Sequence, residues 1–149
     1  MKVTHLLGMG AIALSAVACT TNPITGRSSL QLANNSEILT MSSQEYKTTL
    51  SKGKVITGTA DAKRVVNVGN RIKSAAERYY QSIGRSADLA SYSWEFNLLQ
   101  SSELNAWCTP GGKVAVYTGI LPVTKDDNGL AVVLGHEVSH ALAGHGNER

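Results

Sequence analysis

The residues His136, Glu137 and His140 have types and spacing that point to one chemistry. A helix turns about 100° per residue, so positions four apart lie about 40° apart on one face. Two imidazoles one turn apart can therefore bind a single zinc ion from the same side. Glu137 stands beside them, about 60° from His140 by the same arithmetic. Zinc lowers the pKa of a bound water, and a carboxylate at that place can accept the proton. The hydroxide attacks a peptide carbonyl, and the acid then protonates the leaving amine. Apolar residues flank the group, Leu130 to Gly135 before it and Ala141 to Ala143 after it. Buried imidazoles and a buried carboxylate need partners, and a metal satisfies all three. The expectation is one Zn2+ per chain, with His136 and His140 as ligands and Glu137 as the catalytic base. His145 lies about 140° round the helix from His140 and reads as a helix-end residue favoured by the dipole.

These side chains meet only if a helix carries them. Asp126, Asp127 and Asn128 make a helix start, with acidic groups at the positive end of the dipole. Leu130, Val133, Leu134, Val138, Ala141 and Leu142 carry the apolar spacing of that helix, and Gly144 or Gly146 can end it. Upstream, Asn105 to Cys108 and Lys113 to Tyr117 predict two short strands, with Pro110-Gly111-Gly112 as the turn between them. Residues 118–125 read as a connection with room for a helical turn. Tyr92, Trp94, Phe96 and Leu98 alternate with Ser93, Glu95, Asn97 and Leu99, the period of a strand with its aromatic face in the core. Asp61 caps a predicted helix over 62–82 that ends before Gly84, with Val65, Val68, Ile72, Ala75, Ala76 and Tyr79 as its buried stripe. Lys63, Arg64, Arg71, Lys73 and Arg78 lie mostly off that stripe and read as a solvated face. Ser42 and Glu45 have the spacing of a capping box, which predicts a helix over 42–51 and a loop over 52–60.

The totals suit one globular domain: 149 residues, 42% hydrophobic and 17% charged. A net charge of +3 with scattered basic residues gives no stripe for a nucleic acid. Met1-Lys2 precedes an apolar run of 13 residues, Leu6 to Ala18. A membrane-spanning helix needs roughly 20 residues, so residues 1–18 read as a secretory signal peptide. Cys19 follows Leu14-Ser15-Ala16-Val17-Ala18, which resembles a bacterial lipobox and makes Cys19 the expected lipidation site. Residues 19–35, rich in Thr, Asn, Ser and Gly, then form a tether. Thr20 rather than Asp after the cysteine leans toward an outer-membrane lipoprotein on the periplasmic face. With Cys19 lipidated, Cys108 has no partner for a disulfide, and no base is assigned to it as a nucleophile.

The stretch from Gly135 to Arg149 resembles the HtpX and CAAX-prenyl-endopeptidase family (peptidase family M-48), and Asn105 to Leu121 resembles the segment that precedes its zinc helix. The similarity is to exported bacterial lipoproteins of the Oma-like and BepA-like branch, whose mature N-terminus Asn22-Pro23-Ile24-Thr25-Gly26-Arg27 also resembles. The resemblance implies an α+β, gluzincin-like metallopeptidase domain, mostly helical with a small sheet beside the zinc helix. It implies zinc on His136, His140 and a glutamate from a later helix, with Glu137 catalytic. Glu148 is too close to supply that glutamate, so residues 36–149 are expected to be the N-terminal part of the catalytic domain, ending before the third ligand. Implied substrates are proteins or peptides, among them misfolded or stalled envelope proteins. In zincins an edge strand beside the zinc helix pairs with extended substrate. That makes Asn105 and Ala106 candidate substrate contacts, with a purely structural hairpin as the alternative. The rival functions are a fragment that binds zinc weakly through two histidines, since zinc sites need three or four protein ligands, and a non-enzymatic envelope chaperone or assembly factor.

Overall fold

The computed structural model describes residues 19–21, 26, 28–30 and 34–144. The expected signal peptide, His145 and Glu148 lie outside the described residues. The order is β1 (Cys19–Thr21), β2 (Ser28–Leu30), α1 (Asn35–Lys52), β3 (Val55–Ile56), α2 (Ala60–Ser82), β4 (Glu95–Leu99), β5 (Ala106–Cys108), β6 (Lys113–Tyr117), α3 (Leu121–Thr124) and α4 (Asp127–Leu142). The fold is a mixture of helices with a small sheet, as expected. Within the segment expected to be a tether, β1 and β2 pair antiparallel.

Strands β3 to β6 form the main sheet in the order β3-β4-β6-β5. β4 and β6 run parallel, while β3 and β5 join antiparallel at the two edges. The sheet is covered on both faces. On one face Phe96, Leu98, Ala106, Val114 and Val116 pack with Ala62, Val65 and Val68 of α2 and with Leu130, Leu134 and Val138 of α4. On the other, Leu99 and Ala115 pack with Tyr46 of α1, and Leu50, Trp107 and Tyr117 close round them. Tyr46 is buried as a polar joint: its hydroxyl donates to the Val114 carbonyl at 3.0 Å and accepts from Asn97 Nδ2 at 3.0 Å. A buried hydroxyl needs such partners.

Several local expectations shift for identifiable reasons. α1 begins at Asn35 because the Asn34 side chain accepts from the Ser36 amide at 3.2 Å; Ser42 and Glu45 therefore fall inside the helix. The loop expected over 52–60 contains β3, a strand too short to show a period. Thr59, not Asp61, caps α2, its hydroxyl accepting from the Ala62 amide at 3.1 Å. The α2 stripe holds at Val65 and Val68, but Tyr80 is the buried tyrosine and Tyr79 is 48% exposed. The aromatic alternation holds in space, with rings packed in series from Tyr92 to Trp94 (5.1 Å) and from Trp94 to Phe96 (6.3 Å).

The α2–sheet contact is close at Gly69, which is buried over the Phe96 ring. A Cβ at that position would overlap the ring. The two elements cannot separate without opening the core on which α4 also sits. Gly69→Ala is therefore expected to destabilise the domain by about 1–3 kcal/mol despite the helix propensity it adds. Urea unfolding checks this; an unchanged or raised midpoint would show that helix and sheet part freely.

Candidate metal centre

α4 starts where the sequence puts it. The Asp126 side chain accepts from the Gly129 amide at 2.9 Å, and Asp127 lies in the first turn. Leu130, Leu134, Val138 and Ala141 are buried, so the helix is fixed by one stripe. Measured round the axis from Leu134, Glu137 lies about 60° away, His140 about 120° and His136 about 160°, all in the same sense. The burial follows this order: Glu137 is half-buried, while His136 and His140 are exposed. The two imidazoles thus stand on the open face of α4 rather than in the core, a correction to the expectation that they need burial partners.

The two Nε2 atoms are 3.0 Å apart, with the ring planes at 88°. Two imidazole nitrogens on a tetrahedral zinc, each bonded at about 2.0–2.1 Å, lie about 3.3 Å from one another. The pair fits two corners of such a site with a shift of a few tenths of an ångström. Among the described residues, no group of three or more His, Cys, Asp or Glu is placed to hold a metal ion.

The neighbouring strand β5 forms the edge of the sheet and packs against α4. The Asn105 carbonyl accepts from the Tyr117 amide at 3.1 Å, and the Thr109 amide donates to the Lys113 carbonyl at 2.8 Å. In an antiparallel ladder the bonded positions alternate. Asn105, Trp107 and Thr109 therefore turn their main chain toward β6, and Ala106 and Cys108 turn theirs to the open edge. Of the two residues singled out as substrate contacts, Ala106 faces that edge and Asn105 has its carbonyl occupied within the hairpin.

The same alternation puts the side chains of Ala106 and Cys108 on the face that α4 covers. Cys108 was not grouped with the site by sequence reasoning; its two-residue spacing from Ala106 on a strand beside the histidine-bearing helix was the available signal. Burial pushes its thiol up to about 12, and the charge of Glu137 adds to the effect. Tyr92 supports the far end of the helix, its hydroxyl donating to the Ala141 carbonyl at 3.3 Å. A raised thiol pKa favours the neutral form, so the stability it reflects is present below the ordinary value of 9.0 and is lost as pH rises from there through about 12. Cys108 should accordingly resist a thiol-specific disulfide reagent at mildly alkaline pH in the native protein and react at once in denaturant, tested with Cys19→Ser so that one thiol reports. Equal rates in the two states would show that the thiol is neither buried nor neutral.

Residues 68–149 match Peptidase family M48, a segment that runs from within α2 through β4, β5 and β6 to α4. The chain is 43% identical over 61 residues to the mitochondrial metalloendopeptidase OMA1 of Schizosaccharomyces pombe, covering 41% of this chain and 18% of that protein. It is 30% identical over 128 residues to human mitochondrial metalloendopeptidase OMA1, covering 86% of this chain and 24% of that protein. With the metalloprotease YcaL of Escherichia coli it shares 30% over 98 residues, 58% of this chain and 38% of YcaL. The chain thus spans under a quarter of the length of these OMA1 relatives. The family match takes in more than half of the chain and the whole of the histidine-bearing helix, and the chain belongs to peptidase family M48.

Proposed function

We propose that this chain carries the metal-binding and proton-transfer residues of a zinc metalloendopeptidase of bacterial envelope protein quality control. One observation carries the reading: two imidazole nitrogens 3.0 Å apart on the open face of a helix, with Glu137 on the same flank and, beside it, a strand edge that no described residue pairs with. The similar proteins are named metalloendopeptidases and a metalloprotease, so a metal cofactor and protein or peptide substrates are implied. His136 and His140 would hold the zinc, with a glutamate from a later helix of the complete protein as the third ligand in a gluzincin arrangement.

A zinc ion held there would supply Lewis-acid chemistry, polarising a carbonyl and acidifying water. Glu137 takes the proton from the attacking water and returns it to the leaving amine. Its half-buried place, between the core stripe and the histidines, keeps the carboxylate next to the reacting groups, and no described cation forms an ion pair with it. The main-chain groups of Ala106 and Cys108 receive an extended substrate as an added strand, which gives affinity with little side-chain selectivity. Such selection suits unfolded polypeptides, whose main chain is exposed whatever their sequence. Cys19 is the proposed lipid attachment point, with residues 20–35 as the tether and the periplasmic face of the outer membrane as the location. No helix among the described residues is long and apolar enough to cross a membrane.

In the complete protein, Glu137→Gln is expected to retain stoichiometric zinc and lose casein cleavage by about 10²–10⁴-fold. His140→Ala should lose both zinc and cleavage. Cleavage by the Gln variant at the parent rate would remove Glu137 from the mechanism. A parent protein that suppresses client aggregation yet cleaves nothing would establish the chaperone reading instead.

A further inference from the structure

The flank of α4 opposite the histidines borders a groove of about 580 Å³ against α2. Asn70, Arg71, Ser74 and Arg78 of α2 form its polar and basic rim, and Val68, Ile72, Ala75 and Ala131 are its apolar lining. Arg71 and Arg78 are exposed. They are seven residues apart, two helical turns and about 10.5 Å along one side of the helix. Lys63, also exposed, extends the row to about 22 Å. Over this arc of about 100°, α2 presents no carboxylate and no large apolar side chain. The acids that border it are already engaged: Glu77 with Lys73 at 3.8 Å, and Asp61 and Asp127 each with Arg64 at 3.9 Å. Among the described residues Lys63, Arg71 and Arg78 have no carboxylate partner.

We infer that this face of α2 is a docking surface for an anionic phospholipid bilayer. Charge complementarity carries the argument, and the shape chooses among anionic partners. A row of cations along a straight helix meets a plane of headgroups at several points at once. An extended acidic peptide would look for main-chain partners, and a helix has already used its own. The small side chains of Ala75 and Ala131 leave room for a headgroup beside the two arginines, and the exposed arc of α2 carries no large apolar side chain, which keeps the contact at the headgroup level. From Ala131, His136 and His140 lie about 140° and 180° round α4. Docking by the groove therefore turns the two histidines and the open edge of β5 away from the bilayer, toward soluble polypeptide. The inference does not depend on the peptidase reading.

The test is co-sedimentation of the full chain, carrying Cys19→Ser to exclude an acyl anchor, with phosphatidylcholine vesicles and with vesicles containing phosphatidylglycerol. Comparing the two lipids subtracts whatever the N-terminal apolar run adds to both. The parent should prefer the anionic vesicles, and added salt should weaken that preference. Arg71→Gln with Arg78→Gln should lower the anionic partition on the order of 30-fold. Arg71→Lys with Arg78→Lys should keep it, which separates charge from any disturbance of the fold. Equal partition of the parent into both lipids, or an unchanged partition of the Gln variant, would overturn the inference. So would a Lys variant as weak as the Gln variant, or capture of the parent by polyglutamate with none by anionic vesicles.

Discussion

The rotation of α4 about its own axis is set by four side chains, Leu130, Leu134, Val138 and Ala141, which it buries against α2 and the sheet. Leu130 and Leu134 are fully buried. Each contributes about 1.5–3 kcal/mol by leaving water, so turning the helix by one residue would forfeit several kcal/mol. Everything that bears on the chemistry is phased from that stripe. The histidines reach solvent because they are farthest from it, Glu137 is half-buried because it lies nearer, and Ala131 meets α2 because it lies on the other side. The imidazole separation of 3.0 Å follows from the one-turn spacing on the helix, while core packing decides which way the pair faces.

The sheet supplies the second half of the site by a similar economy. β6 lies between β4 and β5, so the strand next to α4 is an edge strand, with one set of main-chain groups unpaired among the described residues. The hairpin register decides which set. Because Asn105 and Thr109 already bond to β6, the open groups belong to Ala106 and Cys108, and their side chains lie on the face that α4 covers. Burial, with the charge of Glu137 beside it, favours the neutral thiol there, which makes Cys108 part of the wall next to Glu137. α4 therefore parts two surfaces of different character: the open edge of β5 on one flank, and the basic groove with α2 on the other.

Much of this was legible in the sequence because the relevant signals are local. Asp126 caps α4, its apolar spacing marks the buried side, and Gly111 and Gly112, at φ 89° and 86°, make the β5–β6 turn that their identity suggests. What was not legible depends on tertiary partners. Leu99 sits on the polar side of the β4 alternation, yet it is buried because α1 covers that face. Tyr80 rather than Tyr79 turns inward near the end of α2, where a change of one residue swings a side chain by about 100°. The Ser42 and Glu45 pair has the form of a helix start, but Asn34 offers a cap eight residues earlier and the helix extends to it. The exposure of His136 and His140 was hidden by apolar neighbours, Val132 among them, which is itself 73% exposed on that same open face.

The proposal that His136 and His140 together hold one metal ion underlies the assigned chemistry. X-ray absorption at the zinc edge of the zinc-loaded complete protein tests it most directly. Nitrogen and oxygen neighbours at about 2.0–2.2 Å with the outer-shell scattering of two imidazoles, and no sulfur, are expected. Sulfur at about 2.3 Å, which would bring Cys108 or another thiol to the metal, or the scattering of fewer than two imidazoles, would contradict it.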